Sequence, residues 1–361
     1  MSMELPQYTA PDFAALGLAD APDAPLAPAP RDGVAPEGFH ATSIYPEYVR
    51  AGGRWLLAED SRMDSVLVVR PEGRVEAVEF RRLRAGDLVV LGRGEDGAQG
   101  IFLHADGFSQ ARDAREAFAF RQGRSRETAY SPDYRKLARL LAYERDHGSV
   151  VWVLGPACVF DAASRDAMAS LVEKGYVHGL LAGNALATHD LEGGFLGTAL
   201  GQDIRTQESI PLGHYHHLDV LNKVRACGSI PAFLREYGVE SGVMAACVRG
   251  KVPFVLAGSI RDDGPLPEVE ADVYQAQNRM RDLVRRATTV VALATQLHSI
   301  AVGNMTPSYR VVEGKVRPTF FYSVDASEFA VNKLRDRGSL AVTTMVTNVQ
   351  DFVTKLAALV E

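Results

Sequence analysis

From residue 149 onward the chain alternates short apolar runs with amphipathic helical patterns, and no other feature restricts its fold so tightly. The apolar runs lie at Val150–Leu154, Tyr176–Leu181, Pro253–Ala257, Thr289–Ala294, Thr319–Val324 and Leu340–Val346. Helical periodicity occupies the intervals at about 164–174, 216–227, 230–237, 273–287, 327–336 and 348–360. Strands buried on both faces, each followed by a helix, predict a parallel sheet with crossover helices. Led in by a helix at 132–147, residues 131–361 are expected to form a doubly wound, Rossmann-like α/β domain whose ligands lie at the carboxyl ends of the strands. Ser164 and Asn348 suit N-caps, and Gly175, Gly228 and Gly338 suit C-terminal stops.

The region upstream obeys a different rule. Trp55–Leu57, Ser65–Val69, Val75–Phe80 and Asp87–Leu91 are short β-prone runs separated by Gly-rich or charged turns. They predict a small antiparallel sheet or barrel, a β module that spans 38–130 with a polar, Arg-rich connector at its end. Residues 1–37 hold seven of the 18 prolines, interleaved with Ala. Such a segment cannot continue a helix and reads as an extended arm, either flexible or packed along another surface.

The net charge of −6 argues against a nucleic-acid partner that would need a basic surface. No run of 18 apolar residues occurs, so no membrane span is expected, and the first residues lack the basic and apolar regions of a secretory signal. Cys158, Cys227 and Cys247 are widely spaced and odd in number, which fits a reducing cytoplasm better than a disulfide framework.

Gly92-Arg93-Gly94-Glu95-Asp96-Gly97 spells a dinucleotide fingerprint, but the residues after it, Gly100-Ile101-Phe102-Leu103-His104, read as another strand. Without a helix N-terminus to hold a diphosphate, the motif reads as a hairpin loop. Better signals stand where strands of the second region end. The second run continues into Ala182-Gly183-Asn184-Ala185-Leu186-Ala187-Thr188-His189-Asp190. The third continues into Gly258-Ser259-Ile260-Arg261-Asp262-Asp263-Gly264-Pro265, and the fourth into Thr295-Gln296-Leu297-His298-Ser299-Ile300-Ala301-Val302-Gly303-Asn304. All three place small residues at the exit and polar ones beyond, as a loop-built ligand site would.

His189-Asp190 suits an acid/base group or, equally, a helix cap or solvated pair. Arg261 suits a carboxylate, and Asp262 with Asp263 suits either a turn or an amine-binding site. Asp325 ends the fifth strand, where it can take a ribose hydroxyl or serve as a helix N-terminal charge. His214, His216 and His217 lack the i, i+4 spacing of a zinc pair, and no metal is expected. Cys158 follows a strand exit but has no base nearby in sequence.

The stretch Leu181–Ala187 with His189-Asp190, then Gly258–Pro267, then Leu297–Met305, and finally Asp336-Arg337-Gly338-Ser339, resembles the archaeal-type ornithine cyclodeaminases. This LOR/SDH-region family also resembles the C-terminal half of the cyanobacterial arginine dihydrolase/ornithine cyclodeaminases. Asp32-Gly33, Tyr48-Val49-Arg50, Met63-Asp64 and Gly86–Val90 extend the resemblance over about 31–356. It implies bound NAD, a small amino-acid substrate and a redox-neutral loss of ammonia that turns ornithine into proline. Carried over, it points to Asp262, Asp263 and His189 for proton transfer and to Arg261 for the substrate carboxylate. It lines the cofactor with Gly183, Asn184 and Ala185, with Gly258, Ser259 and Ile260, and with Asp325. Along the fourth exit it adds Thr295, His298, Ser299, Gly303 and Asn304. A homo-oligomer is expected, and the family's usual N-terminal module is expected to be absent, with the Pro/Ala arm in its place.

The chain departs from the family at Thr42-Ser43-Ile44 and Val159-Phe160-Asp161-Ala162, loops on the substrate side. An NAD-dependent dehydrogenase of another amino acid or imine, or a non-catalytic NAD-binding regulator, are the rival expectations.

Overall fold

The computed structural model describes residues 5–108, 131–262, 264–327 and 340–360. The first sheet is built from β1 (Leu26–Pro28), β2 (Glu47–Ala51), β3 (Arg54–Glu59), β4 (Val66–Val69), β5 (Val75–Val78), β6 (Leu88–Val90) and β7 (Ile101–Leu103), in the order β1-β6-β4-β5-β3-β2-β7. Its neighbours are antiparallel except β3 and β5, which run parallel with Ala58 opposite Val75. Alternation along a strand reports its faces but not its direction, so this one junction was not legible. The sheet curls until Ala24, just ahead of β1, donates its N–H to Arg50 O on β2. Ala24, Val49, Leu67, Val90 and Ile101 fill the curl.

The Pro/Ala segment lies along this module. Leu26–Pro28 adds an edge strand to β6, a position where the missing N–H of proline costs no ladder bond. Phe13 stacks on Trp55 at 4.4 Å between ring centroids, and the Trp55 indole donates to Leu18 O. The Gly92–Gly97 loop folds back on β7, with Gly97 N donating to Ile101 O and Leu103 N to Glu95 O. A strand follows it rather than a helix, so it offers no diphosphate site.

The second region opens with α1 (Ser131–His147), β8 (Val150–Leu154), α2 (Ala162–Glu173), β9 (Gly179–Gly183) and α3 (Asn184–Leu196). A hairpin of β10 (Thr198–Ala199) and β11 (Gln202–Asp203) leads to α4 (His216–Cys227), α5 (Ile230–Tyr237) and α6 (Val243–Arg249). Then come β12 (Phe254–Ala257), β13 (Val269–Glu270), α7 (Val273–Val284), β14 (Thr289–Leu293) and α8 (Gln296–Met305). The hairpin β15 (Tyr309–Val312) and β16 (Lys315–Pro318) precedes β17 (Phe320–Asp325), β18 (Ala341–Val346) and α9 (Val349–Ala357).

The main sheet is parallel throughout, in the order β13-β12-β9-β8-β14-β17-β18. Counted from β8, its six longer strands read 3-2-1-4-5-6, the doubly wound order, so the chain reverses its direction of winding between β8 and β14. On β8, Val150, Trp152 and Leu154 enter the core under α1, α2, α3, α6 and α9, while Val151 and Val153 enter the core under α7 and α8. Period-two alternation with both faces apolar is why the strand reads as a continuous apolar run.

Three helices occupy stretches read as loops or left unassigned: α3, α6 and α8. In α3 the pair Gly193-Gly194 hides the helical pattern. It is there because a Cβ on Gly194 would lie 2.8 Å from Arg165 and from Val239. Asp161, not Ser164, caps α2 by accepting from Ala163 N and Ser164 N, whereas Asn348 does cap α9 and Gly228 ends α4 in the left-handed conformation. The expected helix at 327–336, its stop Gly338 and most of the connector lie outside the described residues.

The two sheets are joined through β15. Tyr309, wholly buried, donates its hydroxyl to Ala58 O at 2.5 Å and accepts from Glu47 N at 3.4 Å. Burial pushes its phenol well above the ordinary range, so it stays neutral as a donor. Glu79 adds an ionic contact, standing 2.8 Å from Arg281 on α7 and 3.3 Å from Arg62. Among the described residues no helix is long and apolar enough to cross a membrane.

Candidate active site

The reversal between β8 and β14 opens a crevice above the carboxyl ends of the strands, the place where ligands bind in this architecture. Gly155 ends β8 and donates its N–H to Leu293 O on β14 at 2.8 Å. A Cβ there would lie 1.9 Å from Ala294 O, so only glycine lets the two exits close this tightly. Ala294 itself turns with a positive φ of 52°.

Two helices begin at the crevice without a side-chain cap. α3 starts directly after Gly183, and α8 starts after Thr295, and neither preceding side chain accepts a first-turn N–H. Their leading N–H groups and helix dipoles make the crevice a place for an anion such as a dinucleotide's diphosphate. The close approach continues at Gly183, where a Cβ would stand 3.2 Å from His298 Cε1, and at Gly258, where it would stand 2.9 Å from Glu270 O. The residues present therefore fit a bound dinucleotide.

The β12 exit is a tight turn held by its own side chains. Ser259 N donates to Asp262 Oδ2 at 2.9 Å, Asp262 N to Ser259 O at 3.1 Å, and Arg261 N to Ser259 Oγ at 3.2 Å. Asn184 Oδ1 ties the loop to α3 by accepting from Leu266 N at 3.1 Å and Thr188 Oγ1 at 3.3 Å. Ser259, Ile260 and Arg261 are exposed, and Ile260 is so open (108%) that it contributes nothing to the core. Asp262 is half-buried, and Asp263 lies outside the described residues. Burial lowers the His298 imidazole below its ordinary value, and the Asp262 charge opposes that shift, so the exits of β12 and β14 act on each other electrostatically.

Asp325 ends β17 and takes Ser327 N at 2.8 Å. Burial, helped by the negative charge of Asp325, pushes the Cys158 thiol up to about 12, which leaves no thiolate for nucleophilic chemistry at neutral pH. Ala185 is exposed in the first turn of α3, and Ser299 is buried in α8 with its N–H on Thr295 O. Gly303 and Asn304 stand in the last turn of α8, about 7–9 Å further along the helix axis than His298. The structure thus gathers Gly183, Asn184, Asp262 and His298, and leaves Gly303 and Asn304 at the other end of α8.

The neighbours His189 and Asp190 do not act as a pair. Successive residues on a helix point about 100° apart, and these two meet different partners. Asp190, fully buried, accepts from Arg165 Nε at 2.9 Å and caps α6 through Val243 N at 3.0 Å and Met244 N at 2.7 Å. His189 instead shares its Nδ1 with Glu192 Oε2 at 2.8 Å, with Phe160 edge-on at 5.6 Å and His217 at 6.2 Å between ring centroids. Glu192 belongs to no motif at the strand exits, and its i, i+3 spacing from His189 on a helix is the one sequence signal of this contact. His216 Nδ1 lies 2.8 Å from Thr198 Oγ1, and His214 is exposed. The three-histidine run therefore scatters into separate roles.

Residues 135–356 match the family described as arginine dihydrolase ArgZ-like, C-terminal, Rossmann fold, and residues 46–128 match arginine dihydrolase ArgZ-like, C-terminal, first region. An ornithine cyclodeaminase of Methanopyrus kandleri is 39% identical over 333 residues, 92% of this chain and 77% of that protein. The bifunctional arginine dihydrolase/ornithine cyclodeaminase AgrE of Nostoc sp. is 37% identical over 349 residues, 94% of this chain and 48% of that protein. A conserved LOR/SDH protein from Methanococcus maripaludis S2 superposes with a TM-score of 0.85 at 34% identity, covering 94% of this chain and 98% of the other. The ternary complex of AgrE with ornithine and NAD+ superposes with a TM-score of 0.59 at 35% identity, covering 94% of this chain and 46% of the other.

Proposed function

Because the chain belongs to the arginine dihydrolase ArgZ-like C-terminal family, we propose that it is an NAD-dependent ornithine cyclodeaminase-like enzyme that converts ornithine, or a related diamino acid, into a cyclic imino acid and ammonia. The observation that carries this reading is the crevice at the winding reversal, where two uncapped helix N-termini meet the carboxylate of Asp262 and the imidazole of His298. Bound NAD+ would take a hydride from the substrate α-carbon and later return it, so no net oxidation results.

The chain's own residues have three tasks. The N-termini of α3 and α8 hold the diphosphate, with Gly183 and Gly258 admitting the cofactor to the backbone and Asp325 taking a ribose hydroxyl. Arg261, exposed at the rim, binds the substrate carboxylate. The α-amine must be neutral before the α-carbon can release hydride, and ammonia must gain a proton as it leaves. Asp262, Asp263 or His189 serves both needs by alternating between base and acid.

The test is purified protein with ornithine and a catalytic amount of NAD+. Proline and ammonia should form one for one, with no net NADH. Stoichiometric NADH would instead make the protein a dehydrogenase of the amino acid tested. NAD+ binding without turnover of any amino acid would make it a regulator.

A further inference from the structure

We propose that Glu192 is the positioning residue of His189, holding its ring as the Nδ1–H tautomer and leaving Nε2 as the proton acceptor; the substrate rests on the reading above, the Nδ1 contact with Glu192 does not. Glu192 is wholly buried, one helical turn after His189 on α3. A carboxylate can only accept hydrogen bonds, and the groups around this one are donors. Its Oε2 faces His189 Nδ1 at 2.8 Å. Its Oε1 takes the Thr198 hydroxyl at 2.8 Å and the Gly201 N–H at 3.3 Å.

Because the single hydroxyl hydrogen of Thr198 is given to Glu192, His216 must use its own Nδ1–H toward Thr198 Oγ1, 2.8 Å away. Two imidazoles are thus oriented by one buried carboxylate. His216 is half-buried at the start of α4, and His189, with Phe160 against its edge, sits beside the turn that leaves β8. Among the described residues no group occupies His189 Nε2. A role confined to holding the β10–β11 hairpin explains the donors from Thr198 and Gly201, but not an imidazole as the third partner. Buried carboxylates that orient a histidine in this way set its tautomer and fix its ring.

The test combines nitrogen NMR of histidine-labelled protein with kinetics, the His189 signal being assigned by its loss in His189→Gln. In wild type, Nδ1 should carry the proton and Nε2 should be bare, and Glu192→Gln should abolish that preference. Glu192→Gln should also lower kcat for ornithine by about 10–100-fold, with KM within about twofold. In the His189→Gln background the same change should cost no more than about twofold. If Glu192→Gln fails to fold, Glu192→Asp, which keeps the charge but falls one methylene short, should give the same tautomer loss. An Nε2–H tautomer in wild type overturns the proposal, as does an equal kinetic cost with and without His189. Wild type that leaves ornithine untouched defeats the ornithine reading alone, since the tautomer still decides the dyad.

Discussion

A Cβ on Gly183, the last residue of β9, would stand 3.2 Å from Cε1 of His298 in the helix after β14, although β8 separates the two strands in the sheet. α8 thus reaches from the β14 exit across β8 to the β9 exit, and the contact is one of the close approaches that shape the crevice. Its backbone (φ −109°, ψ 177°) is open to any residue, so only space keeps the position small.

Gly183→Ala should therefore leave the fold intact and press on His298. NAD+ affinity is expected to fall by roughly tenfold, about 1.4 kcal/mol, with the melting temperature unchanged. Calorimetric titration of both proteins with NAD+ checks this, and unaltered affinity would place the dinucleotide elsewhere.

Asp190→Ala should be among the most damaging single changes in the second region. It strands the Arg165 guanidinium, 2% exposed, and uncovers the first N–H groups of α6. Removing one partner of a buried ion pair costs about 3–5 kcal/mol, to be read as a lowered urea midpoint. His189→Ala, one residue earlier, should cost activity far more than stability.

Stability should depend on pH through His298. Its folded value lies below the ordinary 6.5 because burial disfavours the cation, so the unfolded chain binds more protons in that interval. The contribution is present above pH 6.5 and is lost as pH falls from 6.5 through the lower folded value. His298→Gln should flatten this slope in denaturation curves taken across the interval, and Asp262→Asn, which removes the opposing charge, should steepen it.

Tyr309→Phe should loosen the β module from the main sheet. The hydroxyl is the only group of that side chain able to serve both Ala58 O and Glu47 N, and both would be left buried without it. The expected loss is about 1–3 kcal/mol. Faster hydrogen exchange at β2 and β3, with β8 and β9 unchanged, would locate the effect at the joint.

Much of the fold was legible because burial leaves a periodic trace. The run Val150–Leu154 is the strand observed, and α4 and α5 occupy the ranges read for them. Where local chemistry and packing compete, packing decides. Gly193-Gly194 looks like a break but lies inside α3 because Arg165 and Ser241 press against it. Ser164 looks like a cap, but its hydroxyl turns inward to Cys158 O and Asp161 takes the capping role. The parallel junction of β3 and β5 left no mark, since strand direction depends on the path of the connection.

The candidate site divides in the same way. By itself, the sequence determined that buried strands end in small residues followed by polar ones, because a close-packed parallel sheet accepts polar groups only where its strands leave it. It also determined which residue types stand at each exit. Only the tertiary structure decided which exits are neighbours, by ordering β9, β8 and β14 side by side. It alone separated His189 from Asp190, and it brought Thr198 and Gly201 back onto Glu192. The physical reason is that adjacency along a helix is not adjacency in space: a rotation of about 100° per residue sends neighbours to different partners, and those partners are chosen by packing.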